Sequence, residues 1–195
     1  MNADVDEFVN ACVDWRGTIT TDNGEQVIVN ADNLIATVQR MADEDEIRRV
    51  LYTYAHHLDA AEPEGMLPLF TDDLYVSYGN HGAEGAEAYL HTLANPDTGI
   101  AAFFAGTSHH VSNVVIDFVD ENTANVRSVL LAWHKYNRER PNGIVYGQYH
   151  DVFVRSDGVW KIQRREQQTA GTDNYHARPE KMLMIQRSSR EQAGV

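Results

Sequence analysis

Between residues 42 and 60, in ADEDEIRRVLYTYAHHLDA, the apolar positions Ile47, Val50, Leu51, Tyr54 and Leu58 recur three or four apart, which puts them on one arc of an α-helix. Asp43 followed three residues later by Glu46 resembles a capping box and predicts where that helix starts. Asp59 falls at the edge of the arc, at the C-terminal end, where a carboxylate opposes the helix dipole and needs water or a partner.

Upstream, DEFVNACVDW has helical spacing with Phe8, Cys12 and Trp15 on one side, and Asn23-Gly24 predicts a small hairpin within residues 17–30. Asp32 is placed to cap a short helix carrying Ile35, Val38 and Met41. Downstream, EPEGMLPLF reads as a short helix, and TDDLYVSYG as a strand in which Leu74, Val76 and Tyr78 share a face. AEGAEAYLHTLAN reads as a helix that turns Ala86, Tyr89, Leu90 and Leu93 inward. From residue 108 the pattern changes to long strands, SHHVSNVVIDF, TANVRSVLLAWHKY, IVYGQYHDVFVRS and VWKIQRREQQ, separated by turn residues such as Asp157-Gly158. Helices first and an antiparallel meander afterwards predict an α+β domain, with helices covering one face of a strongly bent sheet. The chain divides into an extension over 1–40, a domain over 41–168 and a tail over 169–195, whose apolar MLMI at 182–185 is expected to pack on the domain or on a second subunit.

The 195 residues suffice for one domain with a real core. A formal net charge of -13 argues against sequence-independent nucleic-acid binding and against an anionic membrane surface as partners. Cys12 is the only cysteine, which forbids an intrachain disulfide, and the acidic start MNADVDEFVN is unlike a signal peptide; a cytoplasmic location is the expectation.

The doublet His109-His110 at the head of a strand carries the first hint of chemistry, because neighbouring strand residues face opposite ways and imidazole exchanges protons near neutrality. Tyr54, Asp59, Tyr78, His109, Asn113, Ser128, Tyr149 and Asp151 are the polar side chains that fall inward in the predicted elements. Asp59 on the far nitrogen of His109 would fix its tautomer and stabilise its imidazolium, and a tyrosine hydroxyl nearby could donate to a developing oxyanion. Spacing alone equally allows a hydrated helix-end carboxylate, two core tyrosines and a histidine in solvent. None of the nine histidines has the HxH or HExxH spacing of a readable zinc site, and no metal is expected. GxGxxG, GxxxxGK[ST] and GxSxG are absent, so neither a nucleotide cofactor nor a serine nucleophile has support.

The order IRRVLYTYAHHLDA, LFTDDLYVSYG, TSHHVSN and GQYHDVFVRSDGVWKI, over roughly residues 41–168, resembles the SnoaL-like group of the nuclear transport factor 2 fold, which includes scytalone dehydratase, bile acid dehydratase and lindane dehydrochlorinase. The resemblance implies a cone-shaped curved antiparallel sheet wrapped by helices around a pocket, with a His-Asp pair inside it. Asp59 matches the family's aspartate, His109 its histidine, and the Tyr-x4-Asp spacing of Tyr54 and Asp59 its dehydratase branch. Tyr78 falls where scytalone dehydratase carries a substrate-binding tyrosine. The chain departs from that enzyme at Leu58, where it has a tyrosine, and at Ser128 or a neighbour, where it has a second histidine. Arg164 or Arg165 corresponds to a pocket arginine of some relatives, and strand alternation lets only one of them face inward.

These observations lead to the expectation of a cofactor-independent lyase or isomerase acting on a small cyclic or aromatic molecule. His109 is the base, Asp59 its orienting carboxylate and Tyr54 or Tyr78 the acid, with Asn113, Ser128, Tyr149 and Arg165 contacting substrate and Gln148 adding a hydrogen bond. Elimination of water, hydrogen halide or formaldehyde fits equally. The same fold also serves as a non-catalytic module, including the small subunit of ring-hydroxylating dioxygenases, and as a polyketide cyclase. A homo-oligomer, dimer or trimer, is expected from the resemblance.

Overall fold

The computed structural model describes residues 18–20, 26–28, 31–79, 82–177 and 181–185. The chain separates into two compact units, Met1–Asp45 and Glu46–Val195. In the first, β1 (Thr18–Thr20) pairs antiparallel with β2 (Gln26–Ile28), with Thr18 opposite Ile28. The helix expected over 6–15 and the Asn23-Gly24 turn lie outside the described residues. The helix α1 (Ala31–Ala60) runs without interruption through both of the helices expected after Asp32 and after Asp43, so the Asp43–Glu46 box starts no helix. Residues 31–60 contain neither glycine nor proline, and Gln39, Arg40, Met41, Ala42 and Glu44 are strong helix formers, so no residue breaks the helix between the two. Leu34, Ile35, Val38 and Met41 are exposed on it.

In the second unit, Ile47, Val50, Leu51, Tyr54 and Leu58 of α1 are all buried, as their spacing predicts. A 3-10 helix (Pro63–Leu69) leads into β3 (Phe70–Ser77), followed by β4 (Gly82–Glu84), α2 (Ala86–Ala94) and a single turn α3 (Ile100–Phe103). Four long strands complete the fold: β5 (Phe104–Phe118), β6 (Thr123–Tyr136), β7 (Gly143–Ser156) and β8 (Val159–Asp173). They begin four residues before the expected 108 and end beyond 168. The sheet order is β4-β3-β8-β7-β6-β5, antiparallel throughout except that β3 runs parallel to β8. It is an α+β layout with an open, bent sheet. Among the described residues no helix is long and apolar enough to cross a membrane.

Two irregularities in the ladder decide which side chains face the core. In β5 the register shifts between Ser112 and Val115, and Asn113 adopts a left-handed conformation with φ 48°. The inward series therefore passes from Val111 to Val114, Ile116 and Phe118, and Asn113 is left exposed. In β8, Phe153 lies opposite Ile162 and the adjacent Val152 opposite Arg164, so Gln163 is an extra residue. Strict alternation from Trp160 and Ile162 would turn Arg164 inward; the extra residue turns Arg165 inward instead, and Arg164 stays outside over the Tyr75 ring and beside Glu166.

Arg165 and Asp151 are both fully buried and form a two-pronged pair, Nε to Oδ1 at 2.9 Å and Nη2 to Oδ2 at 2.7 Å. The guanidinium lies 4.2 Å from the Tyr54 ring centre and 4.1 Å from that of Tyr149. Burial acts to lower the Arg165 pKa, and the charge and hydrogen bonds of Asp151 outweigh it, holding the guanidinium above its ordinary value. Breaking such a pair leaves a buried charge uncompensated. Arg165→Met is therefore expected to lower the unfolding free energy by roughly 3–5 kcal/mol in urea titrations. Arg165→Met combined with Asp151→Leu is expected to recover most of that loss.

Candidate active site

Asp59 reaches the sheet from the last turn of α1, and its position against the helix dipole is compensated by three donors from β5. Its Oδ2 accepts the backbone N–H of His109 at 2.7 Å, and its Oδ1 accepts the Thr107 hydroxyl at 2.8 Å and His109 Nδ1–H at 2.6 Å. The helix end and the strand supply these groups from fifty residues apart. Burial acts to raise the Asp59 pKa, but the hydrogen bonds from the side chain and backbone of His109, together with Thr107, hold the carboxyl below its ordinary value. With Nδ1 donating to the carboxylate, Nε2 of His109 is left with a lone pair. The other half of the doublet, His110, is exposed and meets the Ser108 hydroxyl at 3.1 Å on the opposite face.

His109 lines a cavity of about 800 Å³, together with Tyr54, Tyr78, Tyr89, Tyr149 and His134. The Tyr54 hydroxyl lies 2.8 Å from that of Tyr89, and the Tyr89 hydroxyl also contacts that of Tyr78, so three phenols form one hydrogen-bonded chain. Burial, with the neighbouring tyrosines second, pushes Tyr78, Tyr89 and Tyr149 well above the ordinary phenol value, which keeps them protonated donors at neutral pH. The remaining wall is largely apolar, with Leu58, Leu93, Ile100, Phe103, Phe104 and Val145.

The expected site residues divide accordingly. His109, Tyr54, Tyr78 and Tyr149 line the cavity, and Asp59 stands behind His109. Asn113 does not, because the β5 bulge exposes it. Ser128 is buried opposite Tyr149 in the β6–β7 ladder without lining the cavity. Arg165 is likewise not a lining residue; the rings of Tyr54 and Tyr149 cover its guanidinium. Gln148 points to the face opposite Tyr149 and bonds His150 at 3.0 Å.

Two further lining residues carry no chemical signal in the sequence pattern. Tyr89 has only the spacing of an inward position of α2, and its hydroxyl joins those of Tyr54 and Tyr78. His134 follows Ser128 by six residues on the same face of β6, so the period of two contained it. It is 5% exposed, its ring stands edge-on to His109 with centres 5.6 Å apart, and its buried Nδ1 has no hydrogen-bond partner among the described residues. Burial, and then the proximity of His109, push its pKa down to about 4, so it is neutral near pH 7. The tail also differs from expectation: Tyr175, His176, Ala177, Lys181 and Met182 line the same cavity. Among the described residues no group of three or more His, Cys, Asp or Glu side chains is placed to hold a metal ion.

Known proteins agree with this architecture. A crystal structure of a Novosphingobium aromaticivorans DSM 12444 protein, provisionally named a scytalone dehydratase, is 47% identical, with TM-score 0.72 over 78% of this chain and 99% of that one. A hexachlorocyclohexane dehydrochlorinase from Novosphingobium barchaimii LL02 shares the fold at 18% identity, TM-score 0.64, over 73% of this chain and 99% of that one. A nuclear transport factor 2-like protein from Novosphingobium aromaticivorans shares it at 21% identity, TM-score 0.60, over 72% and 90%. No curated protein matches the chain significantly. The family model for the SnoaL-like domain matches residues 39–166, and the chain, with this sheet, this helix and this pocket, belongs to the SnoaL-like family.

Proposed function

We propose that the protein is a cofactor-independent lyase or isomerase in which His109 is the general base for a small cyclic or aromatic substrate. The observation that carries this reading is the Asp59–His109 contact at 2.6 Å, which commits Nδ1 to the carboxylate and leaves Nε2 free to take a proton in a largely apolar cavity. The names of two structural relatives, a dehydratase and a dehydrochlorinase, agree with elimination chemistry.

In this mechanism His109 Nε2 removes a proton from carbon, the C–H electron pair forms a double bond, and the leaving group departs from the neighbouring carbon. When the leaving group is hydroxyl, a phenol of the Tyr54–Tyr89–Tyr78 chain donates the proton that makes it water. When the proton comes instead from a hydroxyl, the O–H pair forms the carbonyl of the departing formaldehyde, the C–C bond breaks, and the electron pair of that bond, left on the remaining carbon, takes the proton back from the His109 imidazolium. Asp59 stabilises the imidazolium in either case, and the chain of phenols stabilises charge developing on oxygen. Neutral His134 lines the cavity beside the base, with its ring edge-on to that of His109.

His109→Ala and Asp59→Asn are each expected to lower turnover by about 10²–10⁴-fold while leaving the unfolding transition cooperative. The test incubates purified protein in deuterated water with a panel of hydroxylated aromatic and alicyclic compounds. Loss of water, hydrogen halide or formaldehyde, or deuterium placed on carbon, is expected from the native protein and not from His109→Ala. Bound compounds that emerge unchanged across the whole panel would contradict the reading.

The depressed pKa of His134 also has a consequence for stability. Between its folded value of about 4 and the ordinary 6.5, the unfolded chain binds a proton that the folded one does not. Stability is therefore expected to fall as pH falls through that window, by roughly 3 kcal/mol in all. Asp59, whose pKa is lowered, contributes stability above the ordinary carboxylate value that is lost only as pH falls through its own folded pKa. Urea midpoints measured from about pH 7 down to about pH 5 are expected to drop in the native protein and much less in His134→Phe.

A further inference from the structure

The cavity carries an asymmetry of charge that elimination chemistry does not require. Among its described lining residues there is no aspartate or glutamate, and Lys181 is the one lysine or arginine. This holds in a chain whose formal net charge is -13. Two of the three lining histidines, His134 and His176, are held toward the neutral form: burial comes first in lowering both, His134 to about 4, and the nearby Arg140 lowers His176 further. Lys181 enters no ion pair among the described residues. Lys181 is thus an exposed cationic residue on the cavity's lining, with no carboxylate among the described lining residues to neutralise it.

The backbone that carries Lys181 is fixed rather than draped. Thr169, which is buried in β8, donates its N–H to Leu183 O at 2.7 Å and accepts the Ile185 N–H at 2.9 Å, so residues 183–185 add a short parallel rung beside β8. On the other side the segment passes directly over Gly79, the residue after Tyr78. A Cβ at position 79 would lie 2.6 Å from Lys181 O and 2.7 Å from Leu183 N, and Gly79 has φ 84°. Glycine is required there twice, for its left-handed backbone and for the close approach of the tail. Met182, between the two anchors, packs against the core.

We infer that the cavity takes an aromatic substrate bearing a carboxylate, and that Lys181, held by the Thr169 rung and the Gly79 crossing, recognises that carboxylate. The inference rests on the reading of this cavity as a substrate site and adds the substrate's charge class to it. The apolar wall and tyrosines accept the ring, and the ammonium accepts the anionic end. A cation on a lining with no carboxylate among its described residues also steers anions toward a protein that otherwise repels them.

The test is a binding measurement, so it does not depend on turnover. Calorimetric titrations would compare three carboxylates, 4-hydroxybenzoate, 4-hydroxycinnamate and 3-(4-hydroxyphenyl)propanoate, with their primary amides. The native protein is expected to bind the preferred carboxylate at least about tenfold more tightly than its amide, the equivalent of one charge-assisted hydrogen bond. Lys181→Met is expected to abolish that gap while leaving amide affinity unchanged, and Lys181→Arg to keep it. Gly79→Ala, which pushes on the tail backbone at Lys181 O while leaving the lysine side chain in place, is expected to narrow it. Equal affinity for acid and amide in the native protein, a gap that survives Lys181→Met, or binding of no carboxylate in the set would each overturn the inference. The gap is read from the native protein and the Lys181 variants alone, so a failure of the catalytic reading would appear as absent turnover in the native protein with charge selectivity intact.

Discussion

The contact between Asp59 and the His109 segment is the constraint on which the site depends. A carboxylate in the last turn of a helix is disfavoured by the helix dipole, and this one is accepted because β5 offers three donors to its two oxygens. Two of those donors are side chains and one is backbone, so the same interaction joins the end of α1 to an edge strand of the sheet and sets the orientation of the imidazole. Moving either element would break several charge-assisted hydrogen bonds at once. Rigidity of the pair follows from its being part of the fold's own stitching.

A second buried polar unit lies behind two of the cavity's tyrosines. The Arg165–Asp151 pair carries no access to the ligand space, yet its guanidinium lies against the rings of Tyr54 and Tyr149, both of which face that space. Tyr54 in turn leads through Tyr89 to Tyr78. The phenols are therefore positioned from behind by cation–π contact and from the side by one another. In the proposed mechanism this separates the labour: an ionised carboxylate sits behind the base, while neutral donors line the place where negative charge would develop. Low local polarity strengthens both sets of interactions.

Much of this was legible in the residue pattern, and the failures have physical causes. The arc from Ile47 to Leu58 was readable because a single helical face is buried, and the long strands because they alternate. Asp43–Glu46 looked like a helix start, but a capping signal inside an unbroken run of helix formers has nothing to cap. Alternation misplaced Asn113 and left Arg164 and Arg165 undecided because one extra residue in a strand reverses the facing of everything after it, and neither Ser112–Val115 nor Gln163 advertises its bulge. His134 was within reach of the same alternation that marked Ser128, whereas the role of Tyr89 was not, since it depends on a hydroxyl contact between α2 and α1. The place of Lys181 was also beyond reading, because it arises from a tail crossing a glycine more than a hundred residues earlier in the chain.

The central claim, that Asp59 fixes His109 with its proton on Nδ1 and a lone pair on Nε2, is tested most directly by long-range ¹H–¹⁵N correlation spectra of the histidine side chains near neutral pH. The account predicts that neutral His109 shows the Nδ1–H tautomer, with a far-downfield proton protected from solvent exchange, and that this signal disappears in Asp59→Asn. A His109 found as the Nε2–H tautomer, or one whose ring protons exchange freely and do not respond to Asp59→Asn, would contradict it.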